Sequence, residues 1–399
     1  MAIDFPLNIT VHPATPYIET STVGQAINFD FALENISSET LHLRKIQLSV
    51  LDTSGKLILQ KFLDENGTAP GIETLPERTI EIGTTQLIFN PFHTLAPEIG
   101  FAALRYDFVL ESDPSEVMYQ QTITVRPSAY QTQTPLIVPL RSLFIVYDGH
   151  EFYSHHRRFD YTHPVMHQAG INSNFMRYAC DFCPVNDAGA MFNGDEAVNE
   201  NWIGFDAAIY APGAGRVIAT HDEMLDNRSF DEASFNSNPI FFFGNYLVID
   251  HLNGEYSLLA HLKQGSLKVS IGDLVEQDQQ IAALGASGSA NIPHLHYELR
   301  DGVGMIGVEG RPSYFHDFAR RVGSKSMKVA IGSIDSGDII NQWCGLILAL
   351  LRANRPVPLS PKGKIGSLTL EMRAVTCQKP AWLRPFENRT IDYYKLILC

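Results

Sequence analysis

The sequence predicts an all-β protein: an N-terminal immunoglobulin-like β-sandwich, a second antiparallel β unit, and a C-terminal tail without an assigned structure. Three observations lead there. Ile27, Phe29, Phe31 and Leu33 alternate with Asn28, Asp30, Ala32 and Glu34, the period of two expected of a strand that buries one face. Leu104, Tyr106, Phe108 and Leu110 repeat that pattern. Much further on, Asn253-Gly254 separates two strand-like runs, 244–251 and 253–262, and Asn-Gly tolerates the positive φ angles of a tight hairpin.

In chain order, shorter strand candidates at 43–51, 57–62 and 86–89 are separated by turns such as Asp52-Thr53-Ser54-Gly55. Several short strands at this spacing suggest a sandwich over 1–126. Nothing in it carries catalytic chemistry, and a binding or spacer role rests on fold analogy alone. Residues 127–140, with Pro127, Pro135 and Pro139 among Gln and Thr, read as an extended linker. The second unit is expected over 141–325. It includes a Gly-rich turn, Pro212-Gly213-Ala214-Gly215, feeding a strand that reaches Ala219. The 244–262 hairpin follows, then a second short hairpin running from Val269 through 273–275 into 280–285. Residues 326–399 are set apart as an extension.

The chemistry concentrates in Pro293-His294-Leu295-His296-Tyr297-Glu298, which follows a Gly-Ala-Ser-Gly-Ser turn. On a strand, side chains at i and i+2 share a face, so His294 and His296 converge on one small volume. Such a pair can supply a zinc ligand and a proton-handling neighbour together. The same spacing also occurs on ordinary half-exposed strands.

The order Tyr-Ala-Pro-x-x-Gly-x-Val, Gly-Asn-Tyr-x-Val-Ile-Asp-His, Tyr-Ser-Leu-x-Ala-His-Leu, Gly-Asp-x-Val, Gly-x-Ser-Gly and Pro-His-Leu-His-Tyr-Glu resembles the lysostaphin/LytM-type zinc endopeptidases, cell-wall hydrolases. The likeness covers about 147–310. It implies one zinc per chain, held by a His, an Asp and the second His of H-x-H, with a position left open. His296 is then the metal-binding member of the pair. His294 is a catalytic base that returns its proton to the leaving amine, and His261 is a second catalytic imidazole that orients water or stabilises the oxyanion. No His-Glu-x-x-His helix is present, so a protease of that kind is excluded.

Two ligands remain to be placed. His156-Arg157-Arg158-Phe159-Asp160 has the family's usual His-x-x-x-Asp spacing. The Arg177-Tyr178-Ala179-Cys180-Asp181-Phe182 run resembles an Arg-Tyr-Ala-x-Asp-Phe element of a divergent branch, in which the Asp ligand sits there and the His ligand comes from an earlier stretch. The resemblance therefore implies His156, Asp181 and His296, with His155 and Asp160 as alternatives. Arg177 stands where the common pattern has His and is the largest departure. Competing readings are a solvated loop around His155 and His156, an Asp181–Arg177 ion pair, and a structural Asp160. Glu298 is a candidate partner for the second ring nitrogen of His296.

The resemblance implies a zinc metalloendopeptidase acting on a peptide or on peptidoglycan cross-links. The alternative is an inactive module of the same fold that binds a partner protein or glycopeptide. The formal charge of −14 argues against nucleic acid as a partner. No apolar run reaches the roughly eighteen residues needed to span a membrane. Met1-Ala2-Ile3-Asp4-Phe5-Pro6 lacks the basic and apolar regions of a signal peptide. The expectation is export by another route to the cell envelope or medium, a start that is misassigned or trimmed, or a cytoplasmic location.

Two segments stand apart. The insertion between Asp181 and Tyr210, with Asp195, Glu196 and Glu200, is expected to border the substrate groove, since long loops in compact domains are commonly functional. Residues 343–399 carry nine Lys and Arg against three Asp and Glu, and three of the five cysteines, Cys344, Cys377 and Cys399. This tail reads as a small appended element, a partner-binding segment or the product of an altered reading frame. Cys180-Asp181-Phe182-Cys183 is formally C-x-x-C, but the β-α-β context of a thioredoxin-like site is missing. Its sulfurs are expected to pack around the strand presenting Asp181.

Overall fold

The computed structural model describes residues 5–342 apart from 22–23, 67–70, 76–77 and 230–231. The fold is all-β, and the α-helices among the described residues, Pro164–Gln168 and Glu232–Ser237, are short. No helix among those residues is long and apolar enough to cross a membrane.

The N-terminal part is a sandwich of two antiparallel sheets. One has the order Leu7–His12, Asp30–Asn35, Thr85–Phe89; the other has Met118–Val125, Ala103–Asp113, Thr40–Leu51, Leu57–Leu63. Phe29, Phe31 and Leu33 enter the space between the sheets with Leu104, Tyr106, Phe108 and Leu110. The Phe31 ring lies 4.8 Å from Tyr106 and 5.0 Å from Phe108, edge to face, a favoured geometry for aromatic pairs. The outer strands Leu7–His12 and Met118–Val125 escaped the sequence reading because their polar residues dilute the alternation. The residues between the aromatic positions also differ from expectation. Asn28 and Asp30 belong on a half-exposed strand's polar face, yet they are 4% and 0% exposed. The second module covers that face.

In the second module the main sheet runs Leu136–Ile137, Phe315–Val322, Ile339–Gln342, Phe144–Asp148, Cys180–Pro184, Leu295–Arg300, Tyr256–Leu262, Asn245–Asp250, Gly215–His221, Leu274–Val275. Leu295, Tyr297 and Leu299 feed its apolar core alongside Val146, Phe182, Leu259 and Ile249. The alternate residues His296, Glu298 and Arg300 therefore share the opposite face. The Asn-Gly hairpin forms between Asn245–Asp250 and Tyr256–Leu262, with Gly254 at φ 89°. The second expected hairpin does not. Leu274–Val275 pairs with Gly215–Arg216, and Gln280–Ala283 pairs with Ala208–Tyr210, so each short strand closes a longer-range contact that turn signals cannot reveal.

The 127–140 segment runs extended but is not free. Leu136, Val138 and Leu140 are buried in the second module's core, and the Tyr130 hydroxyl and the Gln133 and Thr134 amides donate to Glu255. Lys325–Gly332 and Ile339–Gln342 also join the main sheet. The basic tail, its apolar run and Cys344, Cys377 and Cys399 lie outside the described residues.

Sandwich and second module pack as one compact unit. At their contact Arg157 donates to Asp30 Oδ1 (2.5 Å), to the Phe29 carbonyl (2.7 Å) and to Asn28 Oδ1 (3.2 Å). Arg177 donates to Asp30 Oδ2 (2.7 Å) and Glu309 (3.1 Å). Nearby, His150 lies 3.1 Å from Glu19, and both are buried. Burial disfavours a charged His150, but Glu19 raises its pKa well above the ordinary imidazole value. A raised folded pKa contributes stability that is complete below about pH 6.5 and is lost as pH rises through the folded value. Urea denaturation from about pH 6 to about pH 10 should show the native chain losing stability that Glu19→Gln does not lose. Parallel pH profiles for the two proteins would contradict the coupling.

Candidate metal centre

Strand register assembles the site. Asp181 lies opposite His296, and Ala260 lies opposite His296 on the other side. Asp148 lies opposite Asp181. Laterally paired residues on neighbouring strands present their side chains to one face, so Asp148, Asp181 and His296 form a row, with His294 two residues before His296 and His261 just beyond Ala260.

Asp181 Oδ1 is the meeting point. It lies 2.9 Å from His296 Nδ1, 3.5 Å from His156 Nε2 and 3.4 Å from His294 Nε2. Burial opposes the charge on Asp181, but the imidazoles around it, His156 foremost, hold its carboxyl well below the usual carboxylate range. His156 is fully buried. Its Nδ1–H donates to the Gly149 carbonyl at 2.9 Å and lies 3.2 Å from Asp148. That leaves the Nε2 lone pair facing Asp181, buried and without a hydrogen-bond partner. Burial lowers the His156 pKa, so the neutral ring is favoured.

His296 is held at both nitrogens, by Asp181 at Nδ1 and by Glu298 at Nε2 (2.7 Å). Glu298 in turn accepts from the buried Arg300 (3.0 Å). The carboxylate beside a ligating imidazole, which fixes its tautomer, is a regular companion of protein metal sites.

His261 and His294 complete the constellation, with ring centroids 4.7 Å apart. Each has its Nδ1 tied to a carbonyl: Ser287 for His261 (2.9 Å) and Ile292 for His294 (2.7 Å). A carbonyl only accepts, so both rings carry a proton on Nδ1 and leave Nε2 to the site, that of His294 on the side of Asp181 Oδ1. Burial, then the neighbouring His294 and His296, holds the His261 pKa well below its ordinary value. His261 also sits at φ 58°, a left-handed conformation uncommon outside glycine. The Gly-Ala-Ser-Gly-Ser turn explains how it is held. Ser287 Oγ accepts from the Asn245 amide and donates to the Leu262 carbonyl. Gly288 and Gly244, both at positive φ, approach so closely that a Cβ on either would fall within 2.6 Å of the other's backbone or of Ser287's.

The other sequence candidates fall elsewhere. His155 contacts Asp148 at 2.6 Å but its side chain is 63% exposed. Atoms of Asp148, His155, His156 and Asp181 do lie within 4.8 Å of one another, a group that shares His156 and Asp181 with the buried set. Asp160 is exposed, and its carboxylate caps the Thr162 amide and hydroxyl; it is not part of the cluster. Arg177 makes no ion pair with Asp181 and is not a site residue, since Asp30 and Glu309 take it. Cys180 and Cys183 are free thiols buried on the Asp181 strand. The insertion after Asp181 packs through Asn199 and Trp202 on Arg228 and the Asp226 carbonyl, and Asp226 in turn binds the Ala286 amide beside Ser287. Asp148 was missed because it belongs to no motif and only strand register reveals it.

Residues 203–307 match the model of peptidase family M23. This stretch is an M23 peptidase domain of the lysostaphin/LytM type. The match contains His261, His294, His296 and Glu298, while His156 and Asp181 precede it. The chain is 35% identical over 69 residues to the cell division protein DipM of Caulobacter vibrioides, covering 17% of this chain and 11% of that protein. It is 34% identical over 89 residues to the peptidoglycan DD-endopeptidase ShyC of Vibrio cholerae, covering 22% and 18%. The chain thus spans less than a fifth of the length of these curated relatives. Among solved structures it is similar to the catalytic domain of lysostaphin from Staphylococcus simulans, at 17% identity and a TM-score of 0.22 over 35% of this chain and 79% of that one. It is also similar to the M23 metalloprotease pseudoalterin, at 12% identity and a TM-score of 0.27 over 53% and 97%.

Burial alone would lower the His296 pKa, but its bonds to Asp181 and Glu298 push it up to about 9. A cation arriving at Nδ1 must displace that proton, so the M23 site should bind divalent metal more tightly as pH rises toward about 9. NMR of metal-free protein should show His296 titrating near 9, with Glu298→Gln moving it down toward about 6.5. An unmoved titration in the variant would show that Glu298 does not hold the ring.

Proposed function

We propose that the chain is a zinc-dependent metalloendopeptidase that hydrolyses peptide bonds in peptidoglycan cross-links, with His156, Asp181 and His296 holding the metal. The observation that carries this reading is the convergence of an orphaned imidazole Nε2 and a carboxylate-backed imidazole Nδ1 on one buried carboxylate oxygen. Ligand atoms on a tetrahedral zinc with bonds near 2.0 Å stand about 3.3 Å apart. The 2.9 and 3.5 Å separations here bracket that spacing. Two neutral imidazoles and one carboxylate are a donor set that suits zinc and leaves a position open. When bound, zinc supplies Lewis acidity, polarising a peptide carbonyl and making water acidic near neutral pH.

The remaining steps belong to the protein. His294, whose Nε2 lies 3.4 Å from Asp181 Oδ1, takes the proton from the attacking water, then returns it to the leaving amine. His261, kept neutral by burial and like-charged neighbours, serves first as an acceptor that orients water. It becomes a donor to the oxyanion only after gaining a proton. Glu298 and Arg300 keep His296 oriented, and Asp148 with the Gly149 carbonyl keeps His156 oriented. The names of the DD-endopeptidase relatives support cross-linked peptidoglycan as the substrate class.

Elemental analysis and digestion of cross-linked muropeptides test this together. The native chain should hold about one zinc, and His156→Ala, Asp181→Ala and His296→Ala should each lose it, while Asp160→Ala keeps it. His294→Ala and His261→Ala should keep zinc yet slow turnover by roughly 10²–10⁴-fold, the usual weight of a positioned acid or base. A native chain that takes up no zinc when supplied with it would favour the glycopeptide-binding module instead.

A further inference from the structure

The N-terminal sandwich reaches the metal centre through two arginines. Arg157 follows His156 directly in the chain, and Arg177 stands four residues before Asp181. Both guanidiniums leave the second module and end on the same sandwich carboxylate, Asp30, one on each oxygen. All three side chains are fully buried. Arg157 spends its whole fork on the sandwich strand, taking Asn28 Oδ1, the Phe29 carbonyl and Asp30. Asn174 braces the same two segments from the inside, its side-chain amide donating to the His156 and Arg157 carbonyls while its main-chain carbonyl accepts from the Arg177 and Gly310 amides.

We infer that Asp30 and Arg157 are positioning residues for the metal centre, so that the sandwich is a working part of the peptidase site; the inference rests on the metal-site reading above. A planar guanidinium bound at three acceptors is fixed in direction as well as in place. Consecutive Cα atoms stand about 3.8 Å apart, which leaves His156 little independence from a pinned Arg157. Metal ligation tolerates only about 0.2 Å of error in ligand distance. His156 has no strand of its own, since it lies in the turns after Phe144–Asp148. Asp181 and His296, by contrast, are already set by sheet register. The sandwich supplies for His156 the rigidity that the sheet supplies for the other two.

The test is metal affinity by chelator competition on the full chain, with cobalt(II) absorption as a report of coordination geometry. Arg157→Met removes the fork while Arg177 and Asp30 remain paired. It should weaken metal binding by about tenfold to a hundredfold, the usual effect of losing an outer partner of a ligand, and should change the cobalt spectrum while far-UV circular dichroism stays native. Arg157→Lys should not rescue it, because a point charge cannot span three acceptors. Glu255→Gln serves as the control, since it loosens the buried attachment of 130–134 without touching His156. Native affinity and spectrum in Arg157→Met, or an equal loss in Glu255→Gln, would overturn the inference. If Arg157→Met does not fold, Asn28→Ala removes one acceptor of the fork together with the Asn28 bond to Glu19, and a shift in affinity and cobalt spectrum is expected, with no shift counting against the inference. Should His296→Ala bind metal as tightly as the native chain, the metal-site reading itself is what fails.

Discussion

Asp30 carries two guanidinium groups on its two carboxylate oxygens, in a place closed to water. Burying charge is expensive, and a buried ion pair is poor evidence of net stability, because well-packed apolar side chains often do as well. Breaking one is another matter, costing roughly 3–5 kcal/mol through the charge left uncompensated. The cluster balances internally, with Arg157 and Arg177 against Asp30 and Glu309. Such an arrangement gives directional bonds that hydrophobic packing does not. It ties the central strand of one sandwich sheet to both chain segments that approach the Asp181–His296 pair from the N-terminal side.

Around that anchor, two ordinary properties of β-structure build the site. Lateral register places Asp148, Asp181 and His296 in a row on one face, while Leu295, Tyr297 and Leu299 bury the other face in the core. Main-chain carbonyls then choose the tautomers: Gly149 for His156, Ser287 for His261 and Ile292 for His294. Each takes the Nδ1 proton and leaves Nε2 to the site. His296 is the exception, with Glu298 at Nε2 and Nδ1 turned to Asp181. One set of imidazoles thus presents both nitrogen types to one carboxylate, and the scaffold rather than the imidazole chemistry decides which.

Much of this was legible in the sequence where the signal is local. The Phe29, Phe31, Leu33 alternation, the Asn253-Gly254 hairpin and the His294–His296 pair all depend on residues a few positions apart. The Arg-Tyr-Ala-x-Asp-Phe run placed Asp181 on a strand although the simpler His-x-x-x-Asp spacing pointed to Asp160, which faces solvent. What stayed hidden depends on partners distant in the chain. Asp30 looked like the solvent side of a half-buried strand because its partners, Arg157 and Arg177, lie more than a hundred residues on. Arg177 looked like a disrupted site position for the same reason. Leu274–Val275 and Gln280–Ala283 looked like a hairpin because turn residues report a reversal of the chain but not the strand that will be paired.

The claim that the buried set of two imidazoles and one carboxylate is the metal site can be read directly by zinc X-ray absorption on the native chain. The account predicts a first shell of nitrogen and oxygen at about 2.0–2.1 Å with outer-shell scattering from two imidazoles, and no such zinc shell in His156→Ala. Scattering from three imidazoles, a sulfur at about 2.3 Å, or an unchanged spectrum in His156→Ala would contradict it.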